Sequence, residues 1–281
     1  MLEVEKDMLP GFLIGLREGL EAALIVGITL GILTQMDQKR YRRVVFAGVI
    51  AALILSLVAA VILRELGASL EGAAEEIFEG AMMLLAAGVL TWMILWMQRQ
   101  SREYQSGLES GVRQALLRGQ LWALFGIAFF AVLREGIETT LFLTATALVA
   151  EEREVFLGAL LGLISAILIG WAIFTATVQL NLRRFFQVTS ILLILFAAGL
   201  LAHGVHEFVE VGWLPSIIDP IYNLNSILDE DSLIGSMLKA LFGYNGNPSL
   251  TESLAYVGYL VVIILTLRWT ARQSMKSSKA A

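Results

Sequence analysis

The sequence predicts an all-α, polytopic membrane protein of seven transmembrane helices, arranged as an inverted 3+3 repeat plus a seventh helix. Three observations carry that prediction. First, 57% of the 281 residues are apolar and only 16% are charged, against about 45–50% and about 25% in an ordinary soluble domain, and the mean hydropathy is +0.75. A simple water-soluble fold is thereby excluded. Second, the apolar residues fall into runs of roughly 20 or more, the length that crosses about 30 Å of hydrocarbon at 1.5 Å per helical residue. Third, one charged hexapeptide occurs twice, in the first and the fourth of those runs.

Hydropathy places the spans at 10–34, 44–64, 76–97, 121–149, 155–178, 186–208 and 252–270. The N-terminal MLEVEKD is acidic where a signal peptide is basic, and the first apolar run carries charges, so this run is expected to be retained. Fourteen of the 20 basic residues lie in alternate connections or after the last span: Lys39, Arg40, Arg42, Arg43; Arg99, Arg102, Arg113, Arg118; Arg183, Arg184; Arg268, Arg272, Lys276, Lys279. The positive-inside rule then puts the N-terminus outside and the C-terminus in the cytoplasm, in a multi-pass cell (inner) membrane protein surrounded by lipid. Acidic residues collect on the other side, at Glu65, Glu71, Glu75, Glu76 and Glu79, at Glu151, Glu152 and Glu154, and at Asp219, Asp229, Glu230 and Asp231. External loops merely tolerate such acids, or the acids form a field that concentrates cations at a pore mouth.

No linker divides the chain, so 1–281 reads as a single transmembrane domain: repeat one about 10–97, repeat two about 121–208, an external segment 209–251 and the seventh helix 252–270. Within the external segment, SLIGSMLKALFGY is apolar but too short to span, and is expected as an interfacial or re-entrant helix. Asn245-Gly246-Asn247-Pro248 is the turn back into the seventh helix.

The repeated hexapeptides are Leu16-Arg17-Glu18-Gly19-Leu20-Glu21 and Leu133-Arg134-Glu135-Gly136-Ile137-Glu138. With AAGVL at 86–90 echoed by AAGLL at 197–201, they mark an internal repeat of three spans. Three is odd, so the copies cross in opposite directions, the construction in which a transporter holds substrate between its halves near the midplane. Six ionisable groups at membrane depth carry a gross penalty of roughly 15–20 kcal/mol before pairing and water relieve it. Arg17 reaches Glu21 and Arg134 reaches Glu138 at i,i+4 spacing, while each pair of glutamates, three apart, shares a helix face. Gly19 and Gly136 are expected to let the first and fourth helices approach closely.

The bland reading is a pair of intramembrane salt bridges locking two helices. Four carboxylates against two arginines leave a formal excess of negative charge, which a bound cation or protons would complete. With no cysteine in the chain, the ligands are hard oxygens, suited to Fe³⁺, Fe²⁺, Mn²⁺, Mg²⁺ or Ca²⁺.

Paired R-E-G-[LI]-E motifs in the first and fourth spans of a seven-span chain resemble the oxidase-dependent iron permease family. The likeness extends to Phe78-Glu79-Gly80, Thr91-Trp92-Met93, Phe242-Gly243-Tyr244 and Pro248-Ser249, and in size the chain is similar to the bacterial EfeU-type permeases. The resemblance implies iron uptake, with iron as transported substrate and no permanently bound cofactor. It assigns Glu18, Glu21, Glu135 and Glu138 as iron-motif acids supported by Arg17 and Arg134. It also implies an extracytoplasmic ferroxidase or iron-delivery partner. A homo-oligomer is compatible with the sequence.

Glu76 and Glu79 form an E-x-x-E pair at the outer end of the third span, expected to capture the cation before the central site, although acids also favour a helix start. His203, His206 and Glu207 share a face near the outer end of the sixth span, a spacing as ordinary for a hydrogen-bonded helix end as for a metal site. The nine methionines and six tryptophans are assigned packing and interfacial anchoring, Trp92, Trp96, Trp213 and Trp269 lying near membrane faces. No nucleotide-binding loop, hydrolase elbow, zinc-protease motif or nucleic-acid signature occurs, which favours transport without ATP over enzymatic function. A carrier of another divalent cation such as manganese, and an intramembrane acid/base enzyme, are the alternative readings.

Overall fold

Uninterrupted apolar runs leave the backbone in lipid with no partner but itself, and helices satisfy it. The computed structural model describes residues 8–175, 182–230 and 232–280. Among them are eight α-helices: α1 (Met8–Gln35), α2 (Arg42–Ala68), α3 (Ala73–Leu117), α4 (Leu121–Ala147), α5 (Glu152–Thr175), α6 (Leu182–Glu210), α7 (Leu233–Phe242) and α8 (Leu250–Ala280). The acidic stretch 1–7, the connection 176–181 with the expected end of the fifth span, and Asp231 lie outside the described residues, as do the side chains of Arg99, Arg102, Arg183, Arg272, Lys276 and Lys279.

Among the described residues, five segments are long and apolar enough to cross a membrane: Lys39–Ala68, Ala73–Trp96, Glu152–Phe174, Arg184–Glu210 and Leu250–Thr270. Their outward positions, among them Ile54, Leu57, Ile167, Leu168 and Val262, are exposed large hydrophobics, as a lipid-facing surface requires. This is a multi-pass membrane protein. Helices α1 and α4, which carry the charged hexapeptides, have 28 and 27 residues and sit within the bundle.

The packing partners are specific. Helix α1 lies along α5, α2 along α4, and α3 along α6, while α1 and α4 also meet each other. Small residues set the first pairing: a Cβ at Gly162 would meet the Leu16 amide at 2.6 Å, and one at Gly19 would meet the Ala166 methyl at 2.8 Å. A Cβ at Gly136 would collide with Ser56 of α2. The expectation that Gly19 and Gly136 join α1 to α4 is therefore corrected. Each glycine admits a helix from the other half of the chain, because the motif carboxylates occupy the α1–α4 side and need volume there.

Helix α3 runs 20 residues beyond the expected end of its span at 97. Nothing between 98 and 117 breaks a helix, and Val112, Ala115 and Leu116, at i, i+3, i+4, bury themselves against Ile32 and Leu33 of α1, Val45 of α2 and Leu124 and Ala128 of α4. That cluster closes the end of the bundle carrying the basic connections. At the opposite end, Arg64 of α2 pairs with Glu152 of α5 at 2.7 Å. The short apolar segment is helix α7, capped by Ser232 Oγ accepting from the Gly235 amide and ended by Gly243 at φ 66°. Gly243 lies against Gly199, 11 residues and so about 16 Å inside the end of α6, which packs the end of α7 onto the body of α6.

Candidate metal centre

The site is built from two helices running in opposite directions. Glu18 and Glu21 come from α1 and Glu135 and Glu138 from α4. Both i,i+4 ion pairs form, Arg17 Nη2 to Glu21 Oε1 and Arg134 Nε to Glu138 Oε1, each at 2.8 Å. Arg17 Nη1 also pairs with Glu18 Oε1, and Arg134 Nε stands 3.9 Å from Glu135 Oε1.

One carboxylate oxygen each from Glu18, Glu21 and Glu135 lies within 4.8 Å of the other two. Glu138 adjoins this group, held by Arg134. Burial is nearly complete: Arg17 is 0% exposed, Glu18 1%, Glu135 4% and Glu138 5%. Glu18, Glu135 and Glu138 each keep a buried Oε2 with no hydrogen-bond partner in the protein. Glu21 Oε1 is close to Arg17 yet off the donor axis, an ion pair without an aligned hydrogen bond. Such oxygens are costly unless something else binds them. Hard oxygen donors converging in this way form a cation-binding arrangement.

The two arginines have different surroundings. Arg17 Nη1 donates to Met93 Sδ of α3 at 3.2 Å. Arg134 stacks over the Trp96 ring, 4.7 Å from its centroid, and Trp96 stacks on Trp92. Neither Met93 nor Trp96 was legible as part of the site, since methionine and tryptophan in an apolar helix are ordinarily core and anchor. Their i,i+3 spacing was the available signal.

Glu79 and Glu76 stand apart from the central group, 14 and 17 residues before Met93, so Glu79 lies about 21 Å from it along α3. They face α6: a Cβ at Gly80 would touch Glu207 Cβ and Gly204 O at 3.1 Å, and Glu79 and Glu76 are electrostatic neighbours of Glu207. His203 Nδ1 bonds Gly199 O at 3.0 Å. His206 lies between Glu252 of α8 at 3.1 Å and Glu210 at 3.3 Å. Glu252 is saturated, accepting also from Ser249 Oγ at 2.7 Å and Asn245 Nδ2 at 2.8 Å. That network fastens the turn into α8 onto α6.

Lipid-crossing helices enclose charged groups on facing antiparallel segments, and the family and relatives that match this chain are permeases, not enzymes. The chain belongs to the iron permease FTR1 family, whose model matches residues 8–279. It is 36% identical over 276 residues to the ferrous iron permease EfeU of Yersinia pestis, covering 96% of each chain. It is 35% identical over 276 residues to the ferrous iron permease EfeU of Escherichia coli O157:H7, covering 96% of this chain and 99% of that one. No solved structure matches it.

Proposed function

We propose that this chain carries iron ions into the cell through the carboxylate cluster between α1 and α4. The observation that carries the reading is the meeting of Glu18, Glu21 and Glu135 within 4.8 Å, with buried oxygens on Glu18, Glu135 and Glu138 left without protein partners. In this reading Glu79 and Glu76, beside Glu207, take the ion from the outer face. Glu18, Glu21, Glu135 and Glu138 then replace its water ligands. Arg17 and Arg134 keep the ion-free site from being excessively anionic and repel the arriving ion toward release.

The names of the relatives favour Fe²⁺ over Fe³⁺ as cargo. An extracytoplasmic ferroxidase or delivery protein would supply the ion, and no resident cofactor is needed. In this reading α1 and α4 complete seven crossings, with the N-terminus outside and the C-terminus in the cytoplasm of an inner-membrane protein. The exchanged pairing of α1 with α5 and α4 with α2 supports two inverted three-helix units, 10–97 and 121–208, within one transmembrane domain 1–281. The test is uptake into proteoliposomes with Fe²⁺ and Fe³⁺ supplied separately and Mn²⁺ as competitor. Saturable Fe²⁺ uptake that Glu135→Gln abolishes is expected. Uptake of Mn²⁺ in preference to both iron ions, or normal uptake by the variant, refutes the reading.

A further inference from the structure

We propose that Met93 is a positioning residue of the metal centre: its thioether is the neutral acceptor onto which Arg17 withdraws when a cation takes Glu18 and Glu21. The inference rests on the iron-carrier reading above. Arg17 uses the same Nη1 for Glu18 Oε1 and for Met93 Sδ, the latter at 3.2 Å, and Nη2 for Glu21. Both Arg17 and Met93 are 0% exposed.

Three constraints follow from that geometry. A cation held by Glu18 and Glu21 competes with the guanidinium for the same oxygens and repels it at close range. The guanidinium is out of reach of bulk water at 0% exposure, and an unsatisfied buried charge is strongly disfavoured, so an acceptor on a neighbouring side chain is needed. The group that receives Arg17 must accept a hydrogen bond without attracting the cation away from the carboxylates. A thioether meets all three: it is an uncharged, weak acceptor on a flexible, polarisable side chain that follows a moving partner. The neighbouring buried side chains of α3, Leu90 and Ile94, accept nothing.

The second motif is served by the same strip of α3. One turn on, Trp96 offers the guanidinium of Arg134 a π face at 4.7 Å, another neutral seat for a cation. Helix α3 thus provides an uncharged resting place for each arginine, of a different kind in each half.

The experiment is calorimetric titration of the full-length purified protein with Fe²⁺ under anaerobic conditions, comparing wild type, M93L, M93Q, R17Q and R17Q/M93L. Leucine keeps the volume and removes the acceptor; glutamine restores one. M93L is expected to weaken Fe²⁺ binding about tenfold, the equivalent of one hydrogen bond to a charged group, with M93Q within about threefold of wild type. In the R17Q background, M93L should cause no further loss. Wild-type affinity in M93L overturns the inference, as does an equal loss with and without Arg17, which would make the sulfur a direct ligand. Should M93L fail to fold, M93Q decides: near-wild-type binding supports the inference and a tenfold loss overturns it. A wild type that binds no Fe²⁺ defeats both this inference and the carrier reading, whereas a wild type that binds and an indifferent M93L defeats this inference alone.

Discussion

The two arginines of the repeated hexapeptide do unequal amounts of structural work. Arg17 is fully enclosed and pairs with two carboxylates, while the Arg134 side chain is 26% exposed and makes one close pair. Removing Arg17 leaves Glu18 and Glu21 buried against each other. R17Q should therefore cost about 3–5 kcal/mol of stability, in line with breaking a buried pair, and R134Q about 1 kcal/mol, closer to an exposed one. Chemical denaturation in detergent measures both, and equal losses would contradict the asymmetry. Glu135 presents the reverse case. Its nearest guanidinium nitrogen is 3.9 Å away and it shares the cluster with Glu18 and Glu21, so E135Q relieves crowding of like groups while removing a ligand. A thermal midpoint at or above wild type together with at least tenfold less iron uptake is expected. An unfolded E135Q would show that the carboxylate holds the bundle together instead. The i,i+4 pairs were readable from spacing; Met93 and Trp96 were not, because their contacts come from other helices, 76 residues away for Met93 and 38 for Trp96.

At the scale of elements, glycine spacing decides which helices touch. In α1, Gly15 sits against the backbone of Ala159, whereas Gly31, in the same helix, has nothing within 4 Å of where its Cβ would be. Gly15→Val should cost about 3 kcal/mol or more through overpacking against backbone, visible as a lowered melting temperature and loss of folded protein. Gly31→Ala should be neutral or stabilise by up to about 1 kcal/mol through helix propensity. If both substitutions behaved alike, close α1–α5 packing would not be what stabilises this pair. The glycines themselves were visible in the sequence, but one sequence does not say which neighbour a bare face admits. The extension of α3 to Leu117 was masked by its charges, which read as loop although they are compatible with helix. Only the burial of Val112 and Leu116 shows why the helix persists.

Across the whole molecule, the carboxylate cluster is separated from the basic end by an apolar plug. Leu33, Val45 and Val112 are 0% exposed and Leu124 and Ala128 are 1%, and along α4 this layer runs from Ala128, 7 residues or about 10 Å below Glu135, to Leu124, 11 residues or about 16 Å below it. An ion leaving on that side has to part these side chains. The chain contains no cysteine, so single replacements report without background. In everted vesicles, Leu124→Cys should resist a charged thiol reagent in iron-free buffer and react at least several-fold faster during iron transport. Leu117→Cys, at a position 78% exposed, should react rapidly in both conditions. Unchanged protection of Leu124→Cys during turnover would place the exit elsewhere.

The amino-acid sequence by itself determined membrane residence, the helical class, the positions of five apolar spans to within a few residues and the six charged residues of the two repeated motifs. Those properties follow from local rules: length against bilayer thickness, and charge against hydrocarbon. Tertiary structure alone decided that α1 leans on α5 and α4 on α2, that three acids from antiparallel helices share one volume with Glu138 at its margin, and that α3 seats both arginines. Such outcomes depend on which faces meet across long chain separations, and meeting is governed by the fit of side-chain volumes that no local pattern encodes.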